Sequence, residues 1–199
     1  MFYQNEDVIC VYVALRILAY KSYINMDGRA MLEVTSADIC KALGITGKLD
    51  KYYSKIKNGL EILETDIVGD YHFIEVVMTK NKKWLIDVTD LKVNVKTIDN
   101  KTEMINTSLF FKVPIEYIQK IGECSGAKFS RWTYIYTYTM LCSTINIDSL
   151  VGMTSHEVML QRMKMKPTDN HTLIARYQKF VDLEIIVFDK TFKTIRYII

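Results

Sequence analysis

Five polar side chains in the first third of the chain have the spacing of one helical face: Lys48, Lys51, Ser54, Lys55 and Asn58. They recur at intervals of three and four, opposite an apolar stripe of Leu49, Tyr53, Ile56, Leu60 and Leu63. Lysine ammonium groups contact phosphate or the acceptor edge of guanine, and an asparagine amide pairs bidentately with adenine. A related set lies downstream. The matching helix offers Asn170, His171, Thr172 and Arg176 beside a stripe of Leu173, Tyr177 and Val181, with Lys164 and Lys166 just before them. Lys190, Lys193 and Arg196 follow at and beyond the turn between "DLEIIVF" and "FKTIRYII", where cations suit a sugar-phosphate backbone. A merely solvated helix face has the same residue types. The elements that carry these side chains decide between the two readings.

Residue patterns for enzyme chemistry are sparse. The three histidines, His72, His156 and His171, form no His-x-His pair for a metal, so the abundant tyrosines read as core and edge aromatics rather than nucleophiles. "GITGK" at 44–48 lacks the spacing of a phosphate loop, and Leu49 stands where the hydroxyl ligand would be. There is no Cys-x-x-Cys pair and no glycine-rich dinucleotide turn. Cys10, Cys40, Cys124 and Cys142 are far apart, mostly inside apolar segments, and read as reduced small hydrophobes. The sequence therefore predicts a non-enzyme with no cofactor and no metal.

The chain repeats itself at an offset of about 119 positions. Thr35-Ser36 aligns with Thr154-Ser155, Asp38 with Glu157, Asp50 with Asp169, and Ile67-Val68 with Ile186-Val187. In the first copy an apolar helix is expected over 6–22, then a short strand "MLEVT". A second helix opens at Thr35 with a capping box to Asp38. Gly44 can take the left-handed conformation that stops it, and Thr46 can cap a third helix over about 47–63. A hairpin follows, from "EILETDIV" through a Gly69-Asp70 turn to "YHFIEVVMT", and "KWLIDV" extends the sheet. The lysines at 80, 82 and 83 then fall at the far end of a strand.

In the second copy Thr154 and Glu157 read as a capping box, the turn glycine is missing, and Thr168 or Asp169 caps the last helix. "WTYIYTYTM" alternates like a strand, but the repeat assigns it to a helix. "FFKVPIEYIQKI" predicts a strand-like lead and a short helix. The polar stretch "KVNVKTIDNKTEMINT" reads as a connector.

The order helix, strand, helix, turn, helix, hairpin resembles the winged-helix variant of the helix-turn-helix. The resemblance rests on Thr35, Asp38, Cys40, Gly44, Ile45 and Thr46, with Cys40 at the small-residue position before the turn glycine. It implies an α+β chain of two consecutive winged helix-turn-helix domains, at 1–92 and 108–199, joined by 93–107. It further implies that the two third helices read adjacent major grooves. Two such units in about 200 residues are similar in layout to the replication initiators of plasmids and phages. The expectation that follows is a sequence-specific binder of double-stranded DNA, acting in replication initiation or transcription regulation, with a host replication or transcription protein or a second copy as further partners. The alternative within the same fold is a protein-docking module without DNA readout.

Composition agrees with a folded globule: of 199 residues 49% are hydrophobic and 25% charged, with eight Gly and two Pro. Residues 1–105 hold 14 Lys and Arg against 15 Asp and Glu, while 106–199 hold 12 against 8, so the basic excess lies in the second half. "VICVYVALRILAY" is too short to cross a bilayer, and Arg16 interrupts it. A cytoplasmic protein with no membrane partner is expected.

Overall fold

A computed structural model describes residues 5–65, 67–68, 71–91, 95–98, 102–107, 111–124, 130–145, 151–153, 155–189 and 194–197. Within these the chain is α+β, with seven α-helices, one four-stranded antiparallel sheet and three smaller sheets.

The central element is α1 (Glu6–Leu18). Asn5 caps it, its side-chain oxygen accepting from the backbone N–H groups of Asp7 and Val8 at 2.9 and 3.3 Å. All residues from Val8 to Leu18 are buried, Arg16 included, so the helix is enclosed on every side rather than along one stripe. The Arg16 guanidinium lies 5.9 Å from the centroid of the Tyr12 ring, and burial lowers its pKa. The α-helix stops at Leu18 and a 3-10 turn carries the chain to Lys21, short of the expected residue 22.

Next come β1 (Tyr23–Ile24), β2 (Ala30–Thr35) and α2 (Ser36–Ala42). The capping box forms as the sequence predicts. Thr35 Oγ1 accepts from the Asp38 N–H at 3.2 Å, and the Asp38 carboxylate accepts from the Thr35 N–H at 2.8 Å. After a 3-10 turn at Asp50–Tyr52, α3 (Tyr53–Thr65) runs through most of "EILETDIV", which was expected to be a strand. Leu60 and Leu63 extend the buried helical stripe of Ile56 and hold that segment helical against α1. A two-residue pair, β3 (Ile67–Val68) with β4 (Tyr71–His72), stands apart from the main sheet. The sheet is completed by β5 (Glu75–Lys80) and β6 (Lys83–Asp87), in the order β1-β2-β6-β5.

The expected connector is structured. β7 (Val95–Ile98), β8 (Thr102–Thr107) and β9 (Phe111–Pro114) form an antiparallel sheet, with β8 lying near α1 and α4 (Ile115–Glu123). Then come α5 (Arg131–Cys142), β10 (Val151–Met153), α6 (His156–Arg162), α7 (Asn170–Asp182), β11 (Ile186–Asp189) and β12 (Thr194–Tyr197). The Thr/Tyr-rich segment is the helix α5, as the repeat requires. Its alternation is overridden because Trp132, Ile135, Tyr138 and Leu141 all find buried partners around it.

The two halves share one order: α1 matches α5, β2 matches β10, α2 matches α6, α3 matches α7, and the last two strands match in turn. In both, the first strand pairs with the last and the last with the middle, giving β2-β6-β5 and β10-β12-β11. At the helix before the turn and at the turn itself the offset is 120, one more than the sequence alignment gives, and at the final hairpins it changes further. Glu75 opens β5 and Ile186 opens β11, an offset of 111, because the first half holds the additional β3–β4 pair. Ile67-Val68 is therefore not the structural counterpart of Ile186-Val187.

The buried residues of both halves form one continuous core. In it α1 and α5 pack together, Tyr52 stacks on Trp132 with centroids 5.4 Å apart, and Tyr134 and Tyr138 set their edges against Phe180 at 5.9 and 5.5 Å.

Candidate nucleic-acid interface

The helix pair in each half is set by how its first helix ends. After α2 the Gly44 N–H donates to the Lys41 carbonyl at 3.0 Å and the Ile45 N–H to the Cys40 carbonyl at 2.8 Å, with Gly44 at φ +72°. This is the Schellman arrangement, in which a left-handed residue turns the chain back over the helix end. After α6 the same two bonds form, Lys164 to Gln161 at 3.2 Å and Met165 to Leu160 at 2.8 Å. Lys164 holds the glycine's place at φ +53°. The turn is thus present in both halves, although the sequence shows its glycine in only one.

Three expected caps change, and in one Asp169 holds the cap position of α7 but its carboxylate accepts from the Lys166 N–H instead of from that helix. Thr46 does not cap α3, because residues 45–49 run on irregularly to the 3-10 turn at Asp50; instead its carbonyl accepts from Arg131 Nη1 at 2.6 Å. The cap of α6 is Ser155, whose Oγ accepts from the Val158 N–H at 3.1 Å. Glu157 is then the second residue of the helix, one position out of register for a capping box. Thr154 lies outside the described residues.

The lysine-rich set expected on one helix divides in two, and only Ser54, Lys55 and Asn58 of it lie on α3, Lys48 and Lys51 preceding it in the irregular segment and the 3-10 turn. Lys48, Lys51 and Ser54 are exposed, the Lys51 ammonium resting 4.9 Å from the Tyr52 ring centroid. Lys55 and Asn58 turn toward the acidic start of α1. Lys55 Nζ sits 2.7 Å from Glu6 and 3.8 Å from Asp7, and Asn58 Nδ2 donates to Asp7 at 2.9 Å. Burial opposes the charge on Lys55, but the hydrogen bond and charge of Glu6, with Asp7, raise its pKa overall. Asp7 also accepts from the Trp132 indole N–H at 2.9 Å. These two candidates therefore join α1, α3 and α5. They were indistinguishable in sequence because their partners lie about fifty positions away. Gly59, on the same side, lets α3 approach closely: a Cβ there would lie 2.7 Å from the Asp7 carbonyl oxygen.

The hairpin of the four-stranded sheet turns at Asn81-Lys82, not at Gly69-Asp70, which lie outside the described residues. Asn81 and Lys82 have φ of 51° and 61°, and Lys80 pairs with Lys83, so the turn is a two-residue type I′. Lys80, Asn81, Lys82 and Lys83 are all exposed, and Lys83 Nζ lies 2.8 Å from Glu33. The first-half tip is thus basic, where the sequence suggested an acidic one. Trp84, next to the turn, stacks on Tyr53 with centroids 5.6 Å apart at 25°. That contact sets the root of the hairpin beside the first turn of α3, next to Lys51 and Ser54. "TKNKKW" held the available signal, since Asn-Lys between paired strands is a plausible left-handed turn.

In the second half Asn170 and His171 are exposed at the start of α7, and Thr172 is half-buried. Arg176 faces inward. Its Nη1 donates to Thr137 Oγ1 of α5 at 2.9 Å and lies 3.8 Å from Met165 Sδ, and burial lowers its pKa. Lys166 is exposed, its backbone N–H donating to the Asp169 carboxylate at 3.0 Å. An open cleft of about 640 Å³ lies between α6 and the start of α7, lined by His156, Glu157, Leu160, Gln161, Met165 and Asn170. Arg196 lies in β12, where its backbone pairs with Val151 and Val187; its side chain, Lys190 and Lys193 lie outside the described residues.

Among the described residues no group of three or more His, Cys, Asp or Glu side chains is placed to hold a metal ion. No described helix is long and apolar enough to cross a membrane. Comparison with protein-family models, curated proteins and solved structures gave no match.

Proposed function

We propose that the chain is a tandem of two winged helix-turn-helix units that binds double-stranded DNA in a sequence-specific manner, serving replication initiation or transcription regulation on a mobile genetic element. The observation that carries this reading is the shared order of the halves. Each has a helix, a strand, a helix ended by a left-handed Schellman turn, a second helix, and a hairpin whose last strand pairs with the first. In such a unit the helix after the turn enters the major groove and the hairpin, or wing, rests on the flanking backbone. The exposed groups available for this are Lys48, Lys51, Ser54 and the wing residues Lys80 and Lys82 in the first half, and Lys166, Asn170 and His171 in the second.

Phosphate contacts supply affinity and base contacts supply discrimination. A double variant, Lys51→Glu with Lys82→Glu, tests both arms of the first unit. Titration of a fluorescent random-sequence duplex at several salt concentrations should show weaker binding and a salt slope flatter by roughly two, one for each lost phosphate contact. An unchanged slope overturns the assignment of this face.

A specific observation supports a second reading, a protein-docking module. Tyr20, Tyr23, Ile24 and Met26 expose large apolar side chains around β1, from 54% for Tyr23 to 106% for Met26. Retention on heparin separates the two. Late elution with a steep salt dependence supports the duplex reading, and early elution at low salt supports docking.

A further inference from the structure

The left-handed turn of the first unit is not open to solvent on its inner side. Leu43 and Ile45 are fully buried, and α4 lies against this turn at Gln119 and Gly122. The approach is backbone to backbone. A Cβ on Gly44 would overlap the Gln119 carbonyl oxygen, and one on Gly122 would overlap the Leu43 carbonyl oxygen. One side chain ties this contact to the rest of the second half: Arg131, first residue of α5, donates through Nη1 to the Thr46 carbonyl at 2.6 Å and through Nε to the Cys124 carbonyl at 2.7 Å. From α5 the connection continues to α7 through Arg176 on Thr137 and through Phe180 against Tyr134 and Tyr138. A packed route therefore leads from the turn before α3 to α7 through α4 and α5.

We propose that Arg131 is a positioning residue that clamps the first turn to α4 and α5, so that α3 and α7 address DNA as one rigid body and the target is bipartite with a single permitted spacing. This inference rests on the duplex-binding reading. The chemistry favours arginine because its planar fork serves two carbonyl oxygens at once, one from each half; a lysine ammonium on a flexible stem loses that fixed geometry. Two rigidly joined reading elements bind with combined affinity only when both sites are in reach together, so a fixed geometry converts directly into spacing selectivity.

The test is selection from a duplex library with a randomised interior, using the full-length wild type, Arg131→Ala and Arg131→Lys, followed by affinity measurements on selected sites with one or two base pairs added or removed between the two sequence blocks. Wild type should lose roughly tenfold or more on a changed spacer, Arg131→Ala roughly threefold or less, and Arg131→Lys an intermediate amount. Hydrogen exchange of the free proteins gives a readout independent of DNA: amides of residues 43–50 should exchange faster in Arg131→Ala while those of α1 keep their protection. If wild type enriches no sequence, the duplex-binding reading falls and the spacing claim with it. If wild type enriches a bipartite site and Arg131→Ala retains the same spacing penalty, or if exchange at 43–50 is unchanged, the clamp alone is refuted.

Discussion

The two left-handed turns invite an exchange experiment, because the same backbone conformation is occupied by glycine in one half and lysine in the other. Lys164 holds φ +53°, a region that costs an L-residue about 1–2 kcal/mol. Glycine relieves that cost but carries about 0.5–1 kcal/mol of extra backbone entropy in the unfolded chain. The difference predicts that Lys164→Gly stabilises the protein by about 0.5–1 kcal/mol, which for a chain of this size is a rise in melting temperature of about 1–4 °C. The reverse change should be far from symmetrical. Gly44→Ala meets the same backbone penalty at φ +72°, and its methyl would also drive into the Gln119 carbonyl on α4. Backbone atoms cannot rotate away as a side chain can, so the loss should exceed about 3 kcal/mol. Urea denaturation followed by circular dichroism, with equal m-values required before midpoints are compared, measures both. Destabilisation by Lys164→Gly would mean that the lysine side chain does more for the fold than the turn costs. A tolerated Gly44→Ala would mean that α4 does not lie against the turn.

Asp7→Ala should destabilise by about 2–3 kcal/mol in the same assay, since it strands the Trp132 indole N–H and removes the partner of Asn58 and a charge beside Lys55. The Asp38 carboxyl is the acidic half of the α2 capping box. Burial works against its charge, but hydrogen bonds from Thr35 and the nearby Lys21 and Lys41 lower its pKa below 3.8. With the folded value depressed, its contribution is complete above the unfolded value and lost as pH falls through the folded one, so Asp38→Asn should flatten the wild-type decline in stability below about pH 4. Alkylation by iodoacetamide at pH 8, read by mass spectrometry, should modify the half-buried Cys124 first. Cys10, Cys40 and Cys142 are buried, and burial raises the Cys40 thiol to about 11 and Cys10 well above its usual value, so both remain protonated and slow.

Local signals carried well into the structure wherever the partner was near in sequence. The Thr35–Asp38 box, the Gly44 stop and the "MLEVT" strand each depend on residues within a few positions, and each was legible. The Thr/Tyr segment is legible as a helix only through the repeat, which outweighs its alternation. What failed depended on contacts distant in the chain. "EILETDIV" was read as a strand because its apolar residues suit either period, and only packing against α1 makes it helical. The strands expected on either side of Gly69-Asp70 do pair, as β3 and β4, but apart from the main sheet, whose own hairpin turns at Asn81-Lys82 and carries the opposite charge. Likewise Lys55, Asn58 and Arg176 had the right chemistry on a predicted face, but the acceptors that hold them, Glu6, Asp7 and Thr137, come from helices that sequence spacing could not align. Lys164 shows the limit from the other side: a non-glycine residue in a left-handed turn leaves almost no trace in the chain.

The enclosure of α1 also sets a problem of timing. Asp7 meets Trp132 across 125 positions, so the flank of α1 that α5 covers leaves the ribosome long before its lid exists. At synthesis rates of about 5–20 residues per second, that greasy surface stands open to solvent for roughly 6–25 s. A nascent chain built this way needs either a holding chaperone or a temporary nesting of α1 against α3, and its yield should respond to translation speed more than its finished stability would suggest.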